Sequence, residues 1–433
     1  MSIENLYEIF LNYPQISIDT RTLREGDLFF ALKGNNFDGN KYARNAINKG
    51  ASYAIVDDKN LANKNQMIFV DDCLTCLQNL ASFHRKQFSI PVLAITGTNG
   101  KTTSKELITT VLSKKYNVTA TIGNLNNHIG VPLTLLRITT ETDVAVIEMG
   151  ANHIGEIETL CEFSKPDHGL ITNIGKAHLE GFGSFESVKK AKGELYRYLM
   201  TNSGTIFFNT DNFVLRELLS EYTAQDYGST PQSSLFGQTT ETYPYLGIEF
   251  FDNNDVILQP YNISTHLAGS YNFENIMAAI KIGLHFNITK EKIIGAIENY
   301  KPGNNRSQVI KTSENTLIAD AYNANPTSMK LAIDNFQKMK GEKKCLILGD
   351  MLELGKYSQE EHREILYQIN SFLWNKVLLI GPEFIRVSKE FEFDNFSDVN
   401  ALIEYLQNHK ITDSIILLKG SRGIKLEKSM AYL

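Results

Sequence analysis

Residues 97–103 read Gly-Thr-Asn-Gly-Lys-Thr-Thr, a set that can hold a triphosphate. Gly97 and Gly100 let backbone amides approach phosphate oxygens, and Lys101 brings a cation to the β and γ oxygens. Thr102 offers a hydroxyl to magnesium where a helix begins. The letters alone are a weak signal, because Ile95 stands where the usual phosphate loop has its first glycine. The context strengthens them. An apolar run, Val92 to Thr96, precedes the loop, and TTSKELITTVLSKKY follows with Leu107, Ile108, Val111 and Leu112 on one helical face. Strand, loop and helix stand in the order a phosphate site requires; a tight turn with an incidental lysine is the plain alternative.

Glu148 ends the apolar stretch VAVIEM, which places a carboxylate at a sheet tip where it can join a magnesium ion held by nucleotide phosphates. The competing reading is a solvated strand-end acid. His178, in TNIGKAHLEGFGS, follows another strand and as a neutral imidazole could ligate a second metal ion, although a lone histidine is more often structural. Lys192, in KKAKGEL, passes on sequence grounds for a surface helix lysine. Cys73 and Cys76 form a CxxC, but no second Cys/His pair follows at metal-site spacing, and they read as core thiols of a helix. Four cysteines in all are too scattered for a disulfide framework.

These groups need elements to position them. A chain of 433 residues suggests three domains. Residues 1–88 alternate short strands (ISIDT, GDLFFAL, SYAIV, MIFV) with helices and read as a small α/β domain. Residues 89–303 hold the phosphate loop and further apolar strands at VAVIEM and GLITNI, the pattern of a parallel sheet covered by helices. Residues 304–433 repeat strand and helix through LIADAY, CLILGD, VLLIG and IILLKG, predicting a Rossmann-like sheet without a GxGxxG. The whole is therefore an α/β protein.

Composition is that of a soluble globular protein, 42% apolar and 21% charged. A net charge of −6 argues against a nucleic-acid surface. Glu4 and Glu8 stand where a secretory signal would carry lysines, and no apolar run approaches the ~20 residues of a membrane span, so a cytoplasmic location is expected.

The stretches GTNGKTTSKE, NNHIGVPLTLL, IEMGANHIGEI, TNIGKAHLEGFGS, AKGEL, GSYNFENIMAA, DAYNANPTSM, GDMLELG and KGSR succeed one another over residues 97–422. As a set they resemble the Mur ligases, and SIDTRTLREGDLFFALKGNNFDGNKYARNAINKGA resembles that family's UDP-sugar-binding domain. The resemblance implies a UDP-binding domain, a central ATPase domain and a C-terminal Rossmann-like domain. It also implies ATP-dependent amide formation with two Mg2+ ions. Gly97, Thr98, Asn99, Gly100, Lys101, Thr102 and Thr103 would bind ATP, with Asn127 near the nucleotide and Asn275 on adenine. Arg306 and Asp320 would reach phosphate and ribose. Thr102 and Glu148 would hold one metal ion and His178 the other, assisted by a CO2-derived carbamate on Lys192. Asp19, Thr20 and Arg21 match the motif associated with UDP.

Tyr322, Asn323 and Asn325 belong to YNANP, where the relative that adds the third peptide residue typically has a DYAHTP-type stretch. That points to the branch joining D-alanyl-D-alanine to UDP-N-acetylmuramoyl-tripeptide, and a monomer is expected. The sister ligase, and a phosphate-loop ATPase or kinase, remain as alternatives.

Overall fold

The computed structural model describes residues 1–62, 65–241, 244–303 and 305–433. The N-terminal part is a four-stranded parallel sheet in the order Ile16–Ser17, Leu28–Phe30, Tyr53–Val56, Met67–Phe69. Its first strand is shorter than ISIDT suggests, because Asp19 turns the chain by accepting from the Arg21 and Thr22 amides through its side chain and carbonyl. Helix Cys73–Arg85 starts under an Asp72 cap and buries Cys73, Leu77 and Leu80 completely or nearly so. All four cysteines are free, and burial pushes the Cys73 thiol well above its ordinary pKa, so the CxxC is core packing. At the helix end, Arg85 ties this part to the next by donating to the Ser164 carbonyl at 2.9 Å and the Ile90 carbonyl at 3.2 Å.

The central sheet has six parallel strands in the order Gln225–Tyr227, Thr205–Asn209, His168–Ile171, Val92–Thr96, Val144–Glu148, Val118–Ala120. The middle strands are buried on both faces, which is why they read as unbroken apolar runs. From Val92–Thr96 the chain first builds one side of the sheet and then crosses to the other, so the carboxyl end of that strand is a topological switch point, where open α/β sheets bind ligands. Helix Lys101–Leu112 packs on helix Asn272–His285 through Leu107, Ile108, Val111, Ile276 and Ile280.

One element was not expected. Leu235–Glu241, Leu246–Asp252 and Tyr261–Ser264 form an antiparallel sheet of three strands in the central part. Leu246, Ile248 and Phe250 alternate into the core beside helix Asn272–His285, so the signal was a period of two rather than an apolar run.

The C-terminal sheet is ordered Gln308–Lys311, Asn315–Asp320, Ser414–Lys419, Lys344–Gly349, Lys376–Ile380, Asp394–Phe396. All neighbours are parallel except the first pair, a hairpin edge that the strand and helix rhythm did not reveal. Asp320 pairs in register with Lys419, so two charged strand ends meet at the carboxyl edge. Among the described residues no helix is long and apolar enough to cross a membrane.

Candidate active site

A cleft of about 1380 Å³ opens where the carboxyl ends of the central and C-terminal sheets face each other. Every residue singled out for nucleotide, metal or acceptor lines it, apart from Gly97 and the N-terminal Asp19, Thr20 and Arg21.

Gly97 and Gly100 have φ of +142° and +78°, and a Cβ on either would run into Thr172 Oγ1 or Asn275 Oδ1. Glycine is thus required twice over, by conformation and by space. The Lys101 ammonium folds back over the loop, donating to the Gly97 carbonyl at 2.6 Å and the Thr98 carbonyl at 3.0 Å. Its tip keeps some contact with the cleft but lies deep among protein atoms. That desolvation lowers its pKa to about 8, Arg306 adding to the effect and Glu148 opposing it. An incoming anion would compete for this cation with two neutral carbonyls only. Thr103 is buried in the first turn of the helix.

Strand register sets Glu148 opposite Ile95, at the root of the loop. Its Oε1 accepts from Thr102 Oγ1 at 3.2 Å and Asn126 Nδ2 at 2.8 Å. Its Oε2 is buried without any partner among the described residues. Such an oxygen costs stability unless something satisfies it, and a cation beside the Thr102 hydroxyl would do so. Among the described residues no three His, Cys, Asp or Glu side chains converge as a ready-made metal site. A carboxylate plus a hydroxyl nevertheless suits Mg2+, which keeps several waters and takes further oxygens from phosphates.

Lys192 is not the surface lysine its sequence setting suggests: only 2% of it is exposed. Its ammonium donates to the Ala151 carbonyl at 3.3 Å and lies 5.5 Å from the Phe182 ring centre. Burial lowers its pKa to about 7, with nearby Lys101 adding to this and Glu156 and Glu194 opposing it. The neutral amine is therefore reached far more readily near pH 7 than for an ordinary lysine, whose pKa is ~10.4. His178 adopts a left-handed φ of +49° and sets its Nδ1 2.5 Å from Glu353 Oε2, leaving Nε2 free of that contact. Glu353, from the C-terminal part, is itself left-handed at φ +65° and accepts from the Glu180 amide at 3.2 Å. Lys176 extends the same seam with a 2.6 Å ion pair to Glu361.

Asn325 caps helix Pro326–Lys338 and donates to Asn99 Oδ1 at 2.8 Å, bringing YNANP against the phosphate loop. Asn323 is exposed on the cleft wall. Asn275 already has both amide atoms engaged, by Ser104 Oγ at 2.9 Å and Asn272 Oδ1 at 3.0 Å. Asn127 Oδ1 accepts from the Ile129 and Gly130 amides in the turn that leads into the short helix Gly130–Leu135. Asp320 pairs with Lys419 at 2.5 Å, and the Arg306 guanidinium lies 3.6 Å from the Tyr322 ring centre with its Nε buried and unpartnered among the described residues. Asp19 grips Arg21 in a two-pronged pair outside the cleft, and the Thr20 carbonyl accepts from Lys49.

Sequence reasoning gave no role to Asn126, Glu353, Lys419 or Arg422. GDMLELG and KGSR hold the last three, but only the fold shows what they face.

Three segments match known domain families: residues 12–85 the Mur ligase family catalytic domain, 95–283 the Mur ligase middle domain, and 305–422 the Mur ligase glutamate ligase domain. The chain is 36% identical to the UDP-N-acetylmuramoyl-tripeptide--D-alanyl-D-alanine ligase of Bacillus subtilis, over 95% of this chain and 91% of that one. The chain belongs to the Mur ligase family. The Escherichia coli ligase of the same name is 35% identical over 96% of this chain and 93% of its own. Among solved Mur ligases, MurF from Acinetobacter baumannii superposes with a TM-score of 0.87 at 28% identity, covering 99% of this chain and 98% of that one. MurF from Thermotoga maritima in complex with ADP gives 0.85 at 26% identity, covering 98% and 97%. The three-domain architecture is common to all of them.

Proposed function

We propose that this Mur ligase uses ATP to join D-alanyl-D-alanine to UDP-N-acetylmuramoyl-tripeptide during peptidoglycan synthesis, acting in the cytoplasm as a monomer. The observation that carries the reading is the single cleft in which the phosphate loop and the unsatisfied Glu148 oxygen face YNANP and two arginines of the opposite wall. Full-length similarity to ligases of that name supports it.

A carboxylate does not condense with an amine in water at useful rates, so it must first gain a leaving group. A tripeptide carboxylate oxygen attacks the γ-phosphorus of ATP, the bond to the β-γ bridging oxygen breaks, and ADP leaves. The dipeptide amine then attacks the acyl phosphate carbon; the C–O bond breaks, phosphate departs, and the amine proton passes to solvent or a nearby base. In the first step the chain has to position groups and offset charge, which Lys101, the loop amides and Arg306 can do. Mg2+ at Thr102 and Glu148, and a second ion near His178, would neutralise charge on the phosphoryl oxygens when bound. Lys192, as a neutral amine, would add to CO2 with loss of a proton, placing a carboxylate where its ammonium now sits. Gly97 to Thr103 would cradle the phosphates, while Asn127, Asn275 and Asp320 would surround the nucleoside. Tyr322, Asn323 and Asn325 would line the acceptor side. The Asp19, Thr20 and Arg21 turn would receive the UDP end, in a domain closing near residue 88, with the C-terminal domain opening near 304.

The test offers purified protein ATP, Mg2+ and each UDP-muramoyl peptide, with either D-alanyl-D-alanine or a single amino acid, and compares product masses. The tripeptide and dipeptide pair should give the only efficient ligation. Preference for a single amino acid on the dipeptide precursor would indicate the sister ligase, and phosphate release indifferent to any amine would indicate an ATPase.

A further inference from the structure

The cations of the cleft divide by what already occupies them. Lys101 lies on the phosphate loop, and Lys192 is buried against Ala151 and Phe182. Lys419 is spent on Asp320 at 2.5 Å. Arg306 is near enough to Lys101 to affect its ionisation and belongs with the phosphates. Arg422, like Arg306, lines the cleft and makes no ion pair among the described residues, but it is exposed where Arg306 is half-buried.

Its placement is nevertheless fixed. Strand register pairs Asp320 with Lys419, so the chain just beyond each strand end, Tyr322 on one and Ser421-Arg422 on the other, runs side by side. Ser421 is 3% exposed; its amide donates to the Asp350 carbonyl at 3.1 Å, and its hydroxyl donates to the Ala324 carbonyl at 3.3 Å while accepting from the Leu352 amide at 2.9 Å. Arg422 follows at once, its guanidinium 4.9 Å from the centre of the Tyr322 ring that also carries Arg306. An arginine held against an aromatic ring keeps its N–H fork free for a planar anion.

The acceptor dipeptide presents such an anion. Its amine must stay neutral to attack, and its other end is a carboxylate that the nucleotide phosphates repel. The acyl phosphate forms against the central wall, so the nucleophile arrives from the C-terminal wall and needs a handle there. We infer that Arg422, backed by Tyr322, is the binding site for the terminal carboxylate of the dipeptide acceptor. This rests on the ligase reading above and adds to it the group that selects a free-acid acceptor.

The test compares D-alanyl-D-alanine with its C-terminal amide, which keeps the nucleophile and loses the charge. The wild type should favour the acid. In Arg422→Ala the KM for the dipeptide should rise about tenfold or more, the size expected for losing a charged hydrogen bond, and the ratio of kcat/KM for acid over amide should fall toward one. KM for ATP and for the UDP-tripeptide should stay within about twofold, which a misfolded variant would not allow, and Arg422→Lys should retain part of the preference. An undiminished acid preference in Arg422→Ala, or a rise confined to the UDP-tripeptide KM, would overturn the assignment. No ligation of either dipeptide by the wild type would instead remove the ligase reading beneath it.

Discussion

The two walls of the cleft are built in different ways. On the central wall the loop, Glu148 and Thr172 sit on three adjacent parallel strands whose register alone brings them together. The facing wall meets it through contacts between distant parts of the chain, His178 to Glu353, Lys176 to Glu361 and Asn99 to Asn325. The first wall is fixed by a sheet buried on both faces; the second depends on a seam of polar contacts, several of them half-exposed and individually modest. Phosphate binding should therefore survive loss of the seam, and amide formation should not.

The largest effect is expected on the fixed wall. Lys101→Ala should lower ligation by about a thousandfold, as for other lost groups that stabilise transition-state charge, measured under single turnover. Near-normal turnover would break the distinction at its stronger end. Lys192→Met should cost about a hundredfold or more, and bicarbonate should not restore activity.

The same substitution has a pH signature. With a folded pKa of about 7 against ~10.4 unfolded, the unfolded chain holds more protons between those values, so Lys192 makes stability rise with pH across that window. Lys192→Met should flatten part of that rise in chemical denaturation series at pH 7 to 10. An unchanged slope would mean the ammonium is less desolvated than its burial implies.

On the seam, Glu353→Gln should lower kcat about tenfold to a hundredfold, the usual cost of freeing a group that orients a metal ligand. ATP affinity should hold. Equal losses in nucleotide affinity and kcat would make the two walls one unit. The smallest effect belongs to Asp19, outside both. Arg21 holds its carboxyl down at about 2, so its contribution is complete above ~3.9 and lost as pH falls through 2. On so exposed a turn, Asp19→Asn should barely change acid unfolding but should weaken UDP-substrate binding.

Legibility in the sequence followed the same divide. The phosphate loop and Glu148 could be read because strand, turn and helix are local, and apolar runs report two-sided burial. Lys192 could not, since what buries it includes Ala151, 41 residues away, and Phe182 from the preceding helix. The antiparallel sheet Leu235–Glu241, Leu246–Asp252 and Tyr261–Ser264 escaped because its strands bury one face and alternate with period two instead of forming the apolar runs that marked the parallel strands. Arg422 was visible in KGSR, but its relation to Tyr322 exists only once two strands align.

The central claim, that a carboxylate is activated by phosphorylation before the amine attacks, has a direct measurement. If the tripeptide's reacting carboxylate is labelled with oxygen-18 and ligation is run to completion, one labelled oxygen should appear in the released phosphate for each amide formed. Unlabelled phosphate accompanying full amide formation would contradict the account.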